Sequence, residues 1–176
     1  MSGILHFVRR AYELLVTVAN LLRSPLLLVL RVYFFWQLFE AGKGKLSHIG
    51  KIIDYFTSLG IPAPAANAYF VSSLECFGGL LLVVGLATRP LALMVAISMC
   101  VAYLTADFEA VTSIFSDSDK FIKADPFPYL LTALILFAFG PGLFSVDALL
   151  KHVLGQKLLS RPERSGGMSS PRIDRR

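Results

Sequence analysis

Two ionisable side chains stand where such groups are rare. Glu75 lies in SSLECFGGLLLVVGL, residues 72–86, and Arg31 in LLLVLRVYFFWQLFE, residues 26–40. A charge at the middle of a helix in lipid costs about 3 kcal/mol on insertion scales, so such residues are usually paired or functional. One acid and one base in a single small protein point to mutual compensation. Arg31 is six residues past Pro25 and Glu75 twelve residues before position 87. At 1.5 Å per residue these are depths of ~9 and ~18 Å from the same edge, within reach of one long Arg side chain. The pairing expected is therefore Arg31 with Glu75, acting either as a clasp that sets helix register or as part of a ligand site. The alternative has Arg31 reaching the inner headgroups and Glu75 remaining neutral. Gln37 and Tyr33 are the further polar candidates on the first span.

Glycines surround the acid. Gly78, Gly79 and Gly85 share its helical face, and small residues let helix backbones approach in lipid. Downstream, Thr88 and Arg89 form a compact turn before Pro90. Gly140, Pro141 and Gly142 let the chain leave the membrane sharply. Ser145 is an expected N-cap, and Asp147 an expected first-turn acid, of a helix over 146–153.

The elements that must hold these residues are apolar. Of 176 residues, 55% are hydrophobic and 16% charged, against about 25% charged in soluble domains. Apolar runs at 25–41, 65–87, 90–106 and 127–143 predict four membrane spans, three of them short for a span of ~20 residues. Residues 1–24 carry a polar stripe, His6 to Asn20, opposite an apolar one, Leu5 to Leu22. This predicts an amphipathic helix lying in the membrane interface. The fold expected is thus all-α: an integral membrane four-helix bundle over 25–150, with an N-terminal interfacial helix over 1–24. Residues 151–176 are expected to form a basic, largely disordered cytoplasmic tail.

Charge sets the orientation. Residues 1–24 carry net +2 and 151–176 net +5, whereas 107–125 carry net −3. Both termini and the Arg89 turn therefore belong in the cytoplasm. Between the first two spans, Ile49, Ile52, Ile53, Phe56 and Leu59 predict a short outer surface helix ended by IPAP at 61–64. The net charge of +5 resides at the chain ends, which argues against nucleic acid as a partner and for membrane lipid.

Several chemistries lack their residues. His6, His48 and His152 fall outside the spans, so there is no histidine pair for haem. There is no nicotinamide or nucleotide fingerprint, no evident flavin site, and no zinc or hydrolase motif. Cys76 and Cys100 read as small apolar residues. Any electron chemistry must run through a bound membrane quinone or a partner subunit.

The order Arg31, AGKGKL, SLGIPAP, ECFGGLLLVVGLATRP and FGPGLFSVDALL resembles the DoxX family of small four-helix membrane proteins over about residues 27–150. The resemblance implies a bundle in a bacterial-type inner (plasma) membrane and, for some members, association with quinone-linked or thiol and sulfur redox complexes. It makes redox partner subunits an expectation, with a homo-oligomer open. The chain has no redox dyad of its own. A non-enzymatic scaffold is the competing reading, and a small-solute or ion pathway the third, although no inverted repeat supports the last.

Overall fold

The structure is a computed structural model that describes residues 2–159, with side chains from 6 to 153. The basic tail expected over 151–176 lies largely outside the described residues. Helix α1 runs from Ser2–Ser47 and α2 from Ile49–Ser58. Then α3, Pro64–Ser73, passes through a π-helical turn, Leu74–Gly78, into α4, Gly79–Val84. Next come α5, Thr88–Thr105, and two short outer helices, α6 at Phe108–Thr112 and α7 at Ser118–Lys123. The order closes with α8, Pro126–Phe139, and α9, Val146–Leu159.

Among the described residues, three stretches are long and apolar enough to cross a membrane: His6–Ser47, Pro64–Val84 and Thr88–Thr105. Helix α8 is apolar but shorter, because Gly140 leaves helical geometry at φ +76°. Its expected N-cap, Asp125, makes no side-chain capping bond. The amphipathic helix expected between the first two spans appears as α2, and α3 begins at a proline, which lacks the N–H that a first-turn position would leave unpaired.

No helix boundary falls at 24–25. Helix α1 continues through Pro25, although proline deletes the bond to the carbonyl four residues back. At 46 residues α1 is ~69 Å long, more than twice a ~30 Å hydrocarbon core. A single helix thus supplies both the first span and a stretch that projects beyond it.

The core joins Leu27, Phe35 and Leu38 of α1 to Leu82 of α4, Val95 and Met99 of α5, and Leu136 of α8. Helix α5 packs most extensively on α8. Ala92, Ala96 and Ala133 are buried there, and such small residues permit the close approach that drives packing in lipid. At the outer end the Tyr103 hydroxyl donates to the Phe121 carbonyl at 2.7 Å and the two rings stack at 4.6 Å. This ties the acidic outer loop to the third span.

Candidate functional site

Glycine contacts fix the register of α1 against the second span. A Cβ on Gly42 would strike the backbone of Cys76 and Glu75. One on Gly79 would meet Phe39 N at 3.0 Å and Phe35 O at 3.2 Å. Arg31 lies further inward, beside Val83 and Gly85. Positions 31 and 42 are eleven residues apart, ~16 Å along α1.

The two buried charges consequently do not pair. The Cα–Cβ bonds of a helix tilt toward its own N-terminus. Helix α1 and the second span are antiparallel, so Arg31 leans inward while Glu75 leans outward. The partner of Glu75 must come from a more outward turn of α1, and it is Lys45. Its Nζ lies 2.6 Å from Glu75 Oε1. Glu75 is 3% exposed, whereas the lysine side chain is 37% exposed. The π-turn widens the helix at this point, and Leu74, Glu75 and Cys76 are all buried in it. Turns of this kind are frequent at functional sites.

The carboxylate is half satisfied. Glu75 Oε2 and Ser72 Oγ are buried and have no hydrogen-bond partner among the described residues. Ser72 lies three residues earlier and is fully buried. Tyr129 of α8 is within electrostatic range of Glu75 and of Tyr33.

Arg31 forms a second, separate centre. It is 1% exposed, and its guanidinium donates three hydrogen bonds to carbonyls: Nε to Val83 at 3.0 Å, Nη1 to Pro141 at 2.9 Å and Nη2 to Phe144 at 2.6 Å. Val83 lies in the last turn of α4, and a cation is favoured at a helix C-terminus, where carbonyls lack partners. Arg31 therefore fastens the end of the second span to the 140–144 turn. Gly85, at φ +75°, is the left-handed C-cap, and a Cβ there would strike the guanidinium. It therefore serves both the turn and the close approach of Arg31 from α1. Gly78 faces Leu74 and, at 3.8 Å, Leu91 of α5.

Asp147 is the first-turn acid of α9, as expected, and its carboxylate does more: it accepts from Ala87 N and Thr88 N, both at 2.8 Å, and so also caps α5. Its own N–H donates to the Gly85 carbonyl at 2.9 Å. Ser145 Oγ accepts from Ala148 N at 3.1 Å and donates to the Gly142 carbonyl at 2.9 Å. Thr88, Gly140, Pro141 and Gly142 thus gather with Arg31 at the inner end of the bundle, while Arg89 is exposed beside Gly140. Gln37 and Tyr33 join neither centre: both are exposed, and the Gln37 amide turns back to the Tyr33 carbonyl at 3.4 Å.

Burial pushes the Asp147 carboxyl up, but the bonds from Thr88 and Ala87 and the charge of Lys151 outweigh it and hold the group below its usual range. A lowered carboxyl contributes stability above its unfolded pKa and loses it as pH falls through the folded one. Thermal unfolding of wild type and Asp147→Ala should therefore differ by about 1 kcal/mol at neutral pH, the worth of a helix cap. The gap should close only below about pH 4. Closure near pH 6 would mean that the carboxyl is raised instead.

Lys45, Gly42, Ser72 and Tyr129 went unread in the sequence. The signal for the first two was the spacing G-x-x-K in AGKGKL, which puts a small residue and a cation one turn apart. Nothing in the sequence distinguished Ser72 or Tyr129.

The architecture is that of an all-α membrane helical bundle with two charged centres at different depths. Residues 26–107 match the family model DoxX. The match contains Arg31, Lys45, Glu75 and Asp107 but ends before the 140–147 turn. The chain is similar to "Putative oxidoreductase CatD" of Bacillus subtilis (strain 168), 28% identical over 117 residues, which are 66% of this chain and 86% of that protein. No solved structure matches it.

Proposed function

We propose that the protein is a membrane subunit of a quinone-linked redox complex, with Glu75 its ligand-facing group. In this reading α8 is the fourth span and the N-terminal part of α1 projects beyond the membrane on the inner side. Both termini are cytoplasmic in a bacterial-type plasma membrane, as the charge bias requires. The 14 residues of α8 reach ~21 Å, so the bundle sits with tilt or local thinning.

The observation that carries the proposal is the buried, half-paired carboxylate. Glu75 Oε2 and Ser72 Oγ are polar, buried and without partners, and such groups are costly unless something binds them. They suit a carbonyl head group: the hydroxyl can donate, and so can the carboxyl when protonated. A quinone, when bound, accepts two electrons and two protons. The electrons come from a partner subunit, because the described residues hold no redox dyad. Lys45 holds Glu75 Oε1 and links it to the outer surface, an outlet or inlet for protons. The oxidoreductase name of the Bacillus relative agrees with this reading.

A scaffold role is the second reading, favoured by Arg31, whose three carbonyl bonds are structural and need no ligand. Purification in gentle detergent with extraction of bound lipids separates the two. A quinone should copurify with wild type, and Glu75→Gln should weaken its binding about tenfold, the worth of one strong buried hydrogen bond, with helical content unchanged. Wild-type protein that carries no quinone and binds none when it is added would leave the scaffold reading.

A further inference from the structure

A groove of about 830 Å³ opens at the inner end of the bundle. It is distinct from the Glu75 centre and independent of the quinone reading. Three cations from three elements converge on it: Arg23 of α1, Arg89 of α5 and Lys151 of α9. All three are exposed. The one carboxylate in its wall, Asp147, is already committed to two backbone N–H groups. Arg23 gives Nη2 to the Phe139 carbonyl at 3.0 Å and lies 5.3 Å over the Phe139 ring, leaving its other donors open. Arg89 has no ion pair or hydrogen bond among the described residues, so its planar fork is free for an oxyanion.

The level of the groove matters as much as its charge. Arg23 and Lys43 stand twenty residues apart on one unbroken helix, ~30 Å, the thickness of a hydrocarbon core. Arg23 therefore marks the boundary between headgroups and acyl chains. Leu143 in the same groove is 77% exposed and Leu150 is 43% exposed. Side chains like these at that level suit acyl chains better than water. An arginine fork beside exposed leucines at a membrane boundary is complementary to a phosphodiester with a tail.

We infer that this groove binds the headgroup of an anionic phospholipid. The phosphate lies among Arg23, Arg89 and Lys151, and the acyl chain lies against Leu143 and Leu150. A bound lipid then bridges α1, α5 and α9, beside the turn that Arg31 fastens to α1 from within.

The test uses the full chain in nanodiscs and in detergent carrying equal amounts of phosphatidylglycerol and phosphatidylcholine, with retained lipid counted by native mass spectrometry. Wild type should retain phosphatidylglycerol preferentially. Arg89→Gln and Lys151→Gln should each lower that preference about fivefold, the worth of one basic residue at an anionic surface, and their combination should abolish it. Arg89→Lys should keep most of it, and Lys43→Gln, at the opposite boundary, all of it. The substituted side chains are exposed, and thermal unfolding of each variant verifies the fold. Equal retention of both lipids by wild type would overturn the inference, as would a preference unchanged in the double variant. Displacement of the lipid by millimolar inorganic phosphate would mean a free-anion site and would overturn it too. So would loss of a dimer in the double variant without change in lipid, which would assign the groove to a second copy.

Discussion

Replacing Arg31 by methionine is expected to destabilise the bundle by about 3–5 kcal/mol, the usual cost of removing one member of a buried charged network. Three carbonyls lose their donor at once: Val83, Pro141 and Phe144. Each orphaned acceptor in a water-free site costs about 1–3 kcal/mol. Methionine fills much of the space, so the loss measures hydrogen bonding and not a void. Arg31→Lys should recover a minor part, because an ammonium cannot span three acceptors fixed around a planar fork. The readout is unfolding in mixed micelles followed by circular dichroism. A double variant adds the sharper check. Were Arg31 the partner of Glu75, adding Glu75→Gln would relieve the stranded carboxylate. With Lys45 as the partner, the two losses should add to within about 0.5 kcal/mol, as separated sites do. An Arg31→Met protein within about 1 kcal/mol of wild type would refute the carbonyl clasp.

The second large effect is expected at Gly42. A methyl there meets the amide of Cys76 and the carbonyl carbon of Glu75. These are backbone atoms inside a packed helix pair and cannot turn aside. Gly42→Ala should cost about 1–3 kcal/mol and Gly42→Leu more, because overpacking pushes the helices apart. The nearby Gly44 is the control: a Cβ there meets nothing within 4 Å. Gly44→Ala should be neutral or stabilise by up to about 1 kcal/mol through helix propensity. The contrast of two glycines in AGKGK isolates the crossing from propensity. Separation of α1 from the π-turn should also break the Lys45–Glu75 bridge, so a disulfide engineered between α1 and the second span near this level should form poorly in Gly42→Leu. Equal stability of the Gly42→Ala and Gly44→Ala proteins would remove the close crossing.

The two centres divide the work of holding a charge at depth. Arg31 is satisfied wholly by carbonyls and is a fastening. Glu75 is satisfied by one lysine and keeps an oxygen in reserve, which is where binding chemistry is to be sought. At the outer end, Glu109 and Lys120 meet at 2.6 Å. Hydrogen bonding and charge hold that acid below and that lysine above their ordinary values. Both groups are exposed, and surface pairs of this kind contribute little to stability.

Much of the frame was legible before any coordinates. Apolar runs marked the spanning helices because lipid demands that every backbone group be bonded within its own segment, which composition alone reveals. The outer amphipathic helix and the turns at Pro64 and Gly140 were readable because local chemistry sets them. The passage of α1 through Pro25 was not, since it rests on neighbours packed against it. Leu143 N, for instance, lies 3.4 Å from Ser24 Oγ beside that proline.

The sequence settled that an acid and a base lie inside lipid and that each must find a partner. Which partner each took was left to the packing of antiparallel helices. Depth along the axis placed Arg31 and Glu75 within apparent reach, but side chains lean toward the N-terminus of their own helix, so the two point apart. Contact between residues distant in the chain depends on that lean, on the register set by Gly42 and Gly79, and on the π-turn. None of these is a property of one segment alone, and each exists only once the helices meet.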